Sequence, residues 1–149
     1  MTVPSIRRAT IADLDALAVL FDAYRRFYEQ PADPALARAF IEARLANHES
    51  VIFVADTGSA LAGFCQLYPS WCSVAAARIF VLYDLFVAED DRRSGAGRAL
   101  MLAAQAFARD AGAARIDLCT AHANTLAQAL YESLGWQRDE AFRTYSFAL

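Results

Sequence analysis

Between residues 11 and 24 the apolar positions Ile11, Leu14, Leu17, Ala18, Leu20, Phe21 and Tyr24 recur at the three-and-four spacing of a single helical face. Thr10 stands where an N-cap is expected, with Asp13 three residues on, and the pattern ends near Pro31 and Pro34. A strand-like SIRRAT segment precedes this helix, and a second helix is predicted from Pro34 to about Asn47. The period then changes. SVIFVADTGSALAGFCQLYP reads as two strands joined at Thr57-Gly58-Ser59, an antiparallel hairpin ended by Pro69. ARIFVLYDLFV, from Ala77 to Val87, is almost unbroken in its apolar character, which predicts a strand buried on both faces in the middle of a sheet. Asp84 is the one charge in its interior.

After the polar EDDRRSG connection the helical period returns over Ala96 to Ala111, closed by Gly112. RIDLCT is a short strand, NTLAQALYESLG a helix closed by Gly135, and the alternating FRTYSF segment a last strand. The order is strand, two helices, three strands, helix, strand, helix, strand, which predicts an α/β (α+β) fold. With 149 residues, 57% of them hydrophobic, the chain is long enough for one core and too short for two, so one domain over 1–149 is expected.

Composition narrows the chemistry. The chain has no lysine, which excludes a P-loop and a pyridoxal Schiff base, since both require one. A net charge of -3 without a basic tract argues against a nucleic-acid partner. No segment approaches a membrane span and the N-terminus lacks a secretory pattern, so a soluble, cytoplasmic protein without a membrane partner is expected. Cys65, Cys72 and Cys119 lack Cys-x-x-Cys spacing, and only His48 and His122 could join them as ligands; buried, inert thiols and no metal are expected.

The sharpest local feature is Arg92-Arg93-Ser94-Gly95-Ala96-Gly97-Arg98, between the apolar strand and the first turn of a helix. A helix N-terminus presents unpaired N–H groups and the positive end of its dipole, and glycines let backbone close on phosphate oxygens. The arginines add charge-assisted donors. Taken alone, the segment reads equally as a solvated turn. A dinucleotide fingerprint would need glycine where Leu100 stands. About thirty residues on, Asn124 caps the next predicted helix and sets Ala127 and Tyr131 one turn apart.

Together, Arg-x-x-Gly-x-Gly-Arg after an apolar strand and Asn-x-x-Ala-x-x-Leu-Tyr-Glu-x-x-Gly-Trp thereafter resemble the two signature motifs of GNAT-type N-acetyltransferases. The resemblance covers nearly the whole chain and implies a central mixed sheet of about six to seven strands flanked by four helices, with a bulge in the strand before the glycine loop. It implies acetyl-CoA as cosubstrate, its pyrophosphate on Gly95, Gly97 and neighbouring groups of Arg92, Arg93, Ser94, Ala96 and Arg98. Leu85, Phe86 and Val87 would run beside the amide-rich pantetheine arm as a strand edge. Asn124, Ala127 and Tyr131 would face the cofactor, with Tyr131 as general acid toward the leaving sulfur. Many relatives pair as homodimers, and the apolar C-terminus is compatible with that. Apart from the motif, Tyr131 reads as a core tyrosine held by a backbone carbonyl.

Direct transfer requires an unprotonated amine, and Asp84 is the candidate base, acting through water. The alternative is a structural carboxylate tied to backbone amides or an arginine. Segments 81–87 and 23–30 look most like the spermidine/spermine and thialysine acetyltransferases, but Tyr83 and Arg25 stand where those enzymes carry acidic residues. An arginine there would repel a polyamine and suit an acceptor that bears a carboxylate. Tyr24, with Phe27, Tyr28, Tyr68 and Trp71, could wall the acceptor site; core packing is the competing explanation. The expected acceptor is therefore the primary amine of a small molecule, with a protein amine as the rival, and a non-catalytic acetyl-CoA-binding module as the other class.

Overall fold

The computed structural model describes residues 3–149, which fall into two compact units, one ending at Leu118 and one running from Cys119 to Leu149. In the first, strand β1 (Ser5–Arg8) leads through a 3-10 turn at Ile11–Asp13 into helix α1 (Leu14–Phe27). Asp13 accepts the backbone N–H of Thr10 at 2.8 Å, so the predicted cap holds, though it caps the short turn rather than the α-helix itself. Helix α2 (Pro34–Ala46) starts on Asp33, whose carboxylate accepts from the Leu36 N–H at 3.0 Å.

Strands β2 (Val51–Asp56), β3 (Leu61–Cys72) and β4 (Ala77–Val87) form an antiparallel meander, with Gly58 at φ 92° in the first turn. Helix α3 (Ala96–Asp110) then crosses to β5 (Ile116–Asp117), which pairs parallel to β4. The sheet order is β1-β2-β3-β4-β5. Leu17, Phe21, Ile41, Val54 and Phe64 build the core between the first two helices and one sheet face. Of the apolar face read from the sequence, Leu14, Leu17, Ala18, Leu20 and Phe21 are buried, Tyr24 is half-buried, and Ile11, in the 3-10 turn, is exposed.

Four expectations are corrected. Pro69 does not end its strand: β3 continues to Cys72, because β2 stops pairing at Leu67 and a proline is tolerated where the strand has a free edge. Among the described residues the sheet has five strands rather than six or seven. Residues 142–147 form no strand, and Phe147 is 89% exposed; alternation alone does not make a strand that pairs with nothing. The thiols are not uniformly buried: Cys65 is, Cys72 is half-buried at the end of β3, and Cys119 is exposed. The second unit contains helix α4 (Thr125–Ser133), closed by Gly135 at φ 90°. Among the described residues, no helix is long and apolar enough to cross a membrane.

Candidate active site

The site begins with an irregularity in β4. Phe80 packs on Phe107 of α3, whereas Phe86 packs on Tyr24 and Phe27 of α1. These residues are an even number of positions apart and in a regular strand would share a face. The reversal comes from a bulge: Gln66 pairs with Asp84 but Leu67 with Leu82, leaving Tyr83 as the extra residue. Tyr83 is consequently 68% exposed, and Asp84 turns inward to 4% exposure. The expectation of a strand buried on both faces fails at this one position, and the bulge implied by the family resemblance is present.

Asp84 lies in a ring of hydroxyls and one amide. Gln66 Nε2 donates to Asp84 Oδ2 at 2.6 Å, and Gln66 Oε1 accepts from Ser50 Oγ at 2.6 Å. The Tyr24 hydroxyl is 3.3 Å from the Tyr83 carbonyl and also donates toward Asp84. Burial pushes the Asp84 carboxyl above its ordinary value, and the hydrogen bonds from Gln66 and Tyr24 partly oppose that. Burial and the nearby carboxylate push Tyr68 up to about 12, and raise Tyr24 further. The Tyr68 and Tyr83 rings meet edge to face, with centroids 5.9 Å apart.

Beside this cluster β4 has an open edge. β5 pairs with β4 only at Phe80 and Val81, so past Val81 that side of β4, including Leu85, Phe86 and Val87, has no strand partner among the described residues. The chain then turns through Arg93 at φ 64° and Gly95 at φ 86°, alternating left-handed positions that direct successive amides to one side of the turn. Ser94 Oγ accepts the Ala96 N–H at 3.3 Å, and the first turn of α3 carries Gly97 and Arg98. Arg92 is held differently from the rest. Its Nε donates to the Val87 carbonyl at 3.1 Å, and its guanidinium lies over the rings of Phe27 and Phe86.

In the second unit, Asn124 Oδ1 accepts the Ala127 N–H at 3.2 Å and caps α4. Asn124, Ala127 and Tyr131 share one half-buried helix face. The Tyr131 ring is 6.2 Å from that of Trp136, and its carbonyl accepts the Trp136 N–H at 3.0 Å.

The structure thus brings Asp84, Tyr24 and Tyr83 together, while Arg25 makes no hydrogen bond or ion pair to that cluster among the described residues; its Nη1 is buried without a hydrogen-bond partner. Sequence reasoning missed Gln66 and Ser50. The available signal was Gln66 itself, the one polar side chain inside the AGFCQLYP run.

Comparison with known proteins agrees with this geometry. The acetyltransferase (GNAT) family model matches residues 17–136, across both units. The chain is 45% identical over 141 residues to an uncharacterized N-acetyltransferase, YhfO, of Bacillus subtilis, covering 95% of each chain. It is 33% identical over 96 residues to a probable acetyltransferase of Haemophilus influenzae, covering 64% of this chain and 66% of that one. A crystal structure of a probable acetyltransferase superposes with a TM-score of 0.91 at 41% identity, over 97% of both chains. A strand bulge that turns a carboxylate inward, an open strand edge and a left-handed glycine turn therefore occur in a chain that belongs to the GNAT family of acetyltransferases.

Proposed function

We propose that the protein transfers the acetyl group of acetyl-CoA directly to a primary amine of a small molecule, with Asp84 accepting the amine's proton. The observation that carries this reading is the buried Asp84 carboxylate beside the unpaired edge of β4. The residues fit the donor. An open strand edge suits a ligand arm made of amides, and a turn with alternating left-handed residues ahead of a helix suits its phosphates. Leu85, Phe86 and Val87 would hold the arm, and the segment from Arg93 to Arg98 the pyrophosphate. Arg92 would brace the end of β4 rather than reach the phosphates, because its Nε is already engaged by Val87. When bound, acetyl-CoA supplies the acetyl group as a reactive thioester.

The amine must lose a proton before it can attack, and a carboxylate whose basicity is raised by burial is better suited to take it than an exposed one. Tyr131, on the α4 face shared with Asn124 and Ala127, would hold a proton at its hydroxyl for the leaving sulfur. Tyr24 and Tyr83 would contact the acceptor. Segments 81–87 and 23–30 look like the spermidine/spermine branch, but Tyr83 and Arg25 stand where that branch carries acidic residues. The buried, unpartnered Nη1 of Arg25 supports an acceptor with its own carboxylate, such as an amino acid, over a polyamine. The same reading takes the protein as a cytoplasmic homodimer without nucleic-acid or membrane partners, consistent with its net charge of -3. Sedimentation equilibrium tests the dimer.

The deciding experiment is a thiol-release screen with acetyl-CoA over amino acids, polyamines and lysine peptides. Release with amino acids is expected. Release with peptides alone would move the assignment to protein acetylation, and binding without release would leave a non-catalytic acetyl-CoA module.

A further inference from the structure

Gln66 is 0% exposed, a primary amide in the middle of an otherwise apolar strand. A buried amide is costly unless both ends are satisfied, and here both are. Nε2 donates to Asp84 Oδ2 and Oε1 accepts from Ser50 Oγ, each at 2.6 Å. The chain of bonds has a direction. An ionised carboxylate only accepts, so it requires the NH2 end of the amide; that leaves Oε1 for the serine, whose hydroxyl must then donate. Turning the amide over would set its carbonyl against the carboxylate and its NH2 against a hydroxyl that has no other described acceptor.

We infer that Gln66 and Ser50 are positioning residues that hold Asp84 ionised through its Oδ2, so that the carboxylate takes the proton of the acceptor amine. This rests on the reading of Asp84 as the proton acceptor. The step is balanced within the site: the ammonium N–H bond breaks, its electron pair stays on nitrogen as the attacking lone pair, and the proton goes to the Asp84 carboxylate, directly or through one water. Ser50 lies just ahead of β2, half-buried, so it anchors the amide from the next strand.

Several other titratable and charged groups face Asp84 or the tyrosines beside it. From α1 there is Tyr24, with Tyr28 behind it; from β3, Cys65 and Tyr68; from β4, Tyr83; and Arg44 and Glu49 act on Tyr68. Burial pushes Cys65 and Tyr68 up to about 12 and Tyr24 higher still, so these three remain neutral.

The test is a carbon-13 titration of the Asp84 carboxyl, identified by its loss in Asp84→Asn, in wild type, Gln66→Met, Ser50→Ala and Ser50→Thr. It needs no acceptor and no turnover. Gln66→Met removes the donor that favours the ionised form and should raise the midpoint by about one pH unit, a tenfold change in proton affinity. Ser50→Ala should shift it the same way but less, and Ser50→Thr, which keeps the hydroxyl, should restore the wild-type value. The acid limb of the turnover profile should move with the midpoint. Unmoved midpoints in folded Gln66→Met and Ser50→Ala overturn the inference whatever the activity. If Gln66→Met does not fold, Ser50→Ala against Ser50→Thr decides alone. Moved midpoints together with full turnover in Asp84→Asn would uphold the hold on Asp84 and sink its role as proton acceptor.

Discussion

Gly63→Ala isolates the contact that seats the end of β4. Gly63 pairs with Val87, and a Cβ placed on it would stand 2.6 Å from the Phe86 carbonyl oxygen, 3.1 Å from Val87 Cα and 3.2 Å from Val87 Cγ2. A comfortable carbon–oxygen contact is about 3.3–3.6 Å, and the obstacle is backbone, which has no rotamer to change. Relief requires the start of β3 and the end of β4 to part, straining the adjacent bond from the Ala88 N–H to the Ala62 carbonyl at 2.8 Å. Overpacking of this kind costs about 1–3 kcal/mol, equivalent to a fall in Tm of roughly 2–12 °C for a chain of this length. Because the displaced residues are Phe86 and Val87, acetyl-CoA affinity should fall as well. Gly58→Ala is the control: its Cβ meets open space, and its cost of about 1–2 kcal/mol comes from φ 92° alone, so Tm should drop while affinity stays unchanged. Thermal unfolding by circular dichroism and calorimetric titration read the two quantities. A Gly63→Ala protein with wild-type Tm and wild-type affinity would refute the reasoning.

Asp84→Asn should cut turnover by about 10²–10⁴-fold with acetyl-CoA affinity retained. It should also leave Tm at pH 7 equal to or above wild type: burial raises the folded-state pKa, so ionised Asp84 opposes folding once pH exceeds that value, and asparagine removes the penalty. A lowered Tm in that variant would count against the burial argument. Arg7 bridges Asp13 at 2.8 Å and Asp56 at 3.0 Å, and it holds the Asp13 carboxyl below its ordinary 3.8. Arg7→Met should therefore lose up to about 1 kcal/mol near neutral pH, and the difference should close as pH falls below that value, as read by urea unfolding at several pH values. Backbone N–H groups of the β3–β4 turn and the Arg115 guanidinium lower the Cys72 thiol, whereas burial pushes Cys65 up to about 12. Iodoacetamide followed by peptide mass mapping should alkylate Cys72 well before Cys65, and Arg115→Ala should slow the Cys72 reaction.

The helices were legible because their evidence is local. The period of α1, the Thr10–Asp13 cap and the Gly112 and Gly135 stops all lie within one turn of the features they control. The glycine turn and the Asn124 cap were legible for the same reason. What depended on a neighbouring strand was not. Pro69 looks like a terminator unless it is known that β2 ends opposite Leu67. FRTYSF alternates like a strand but pairs with nothing. The bulge in β4 was implied only by the family resemblance, and its place at Tyr83 is invisible in an even apolar run, yet it reverses the faces of Phe80 and Phe86 and carries Asp84 inward. Gln66 and Ser50 lie sixteen residues apart in the chain and meet only through the β2–β3 register.

The central claim is that the β4 edge and the turn after it hold acetyl-CoA, and isothermal titration of the wild-type protein and Gly97→Asp with acetyl-CoA tests it most directly. Saturable binding by wild type, with at least a tenfold loss in a folded Gly97→Asp where a carboxylate would oppose the phosphates, is the predicted result. Absence of binding by the wild type, or equal affinity in the two proteins, would contradict it.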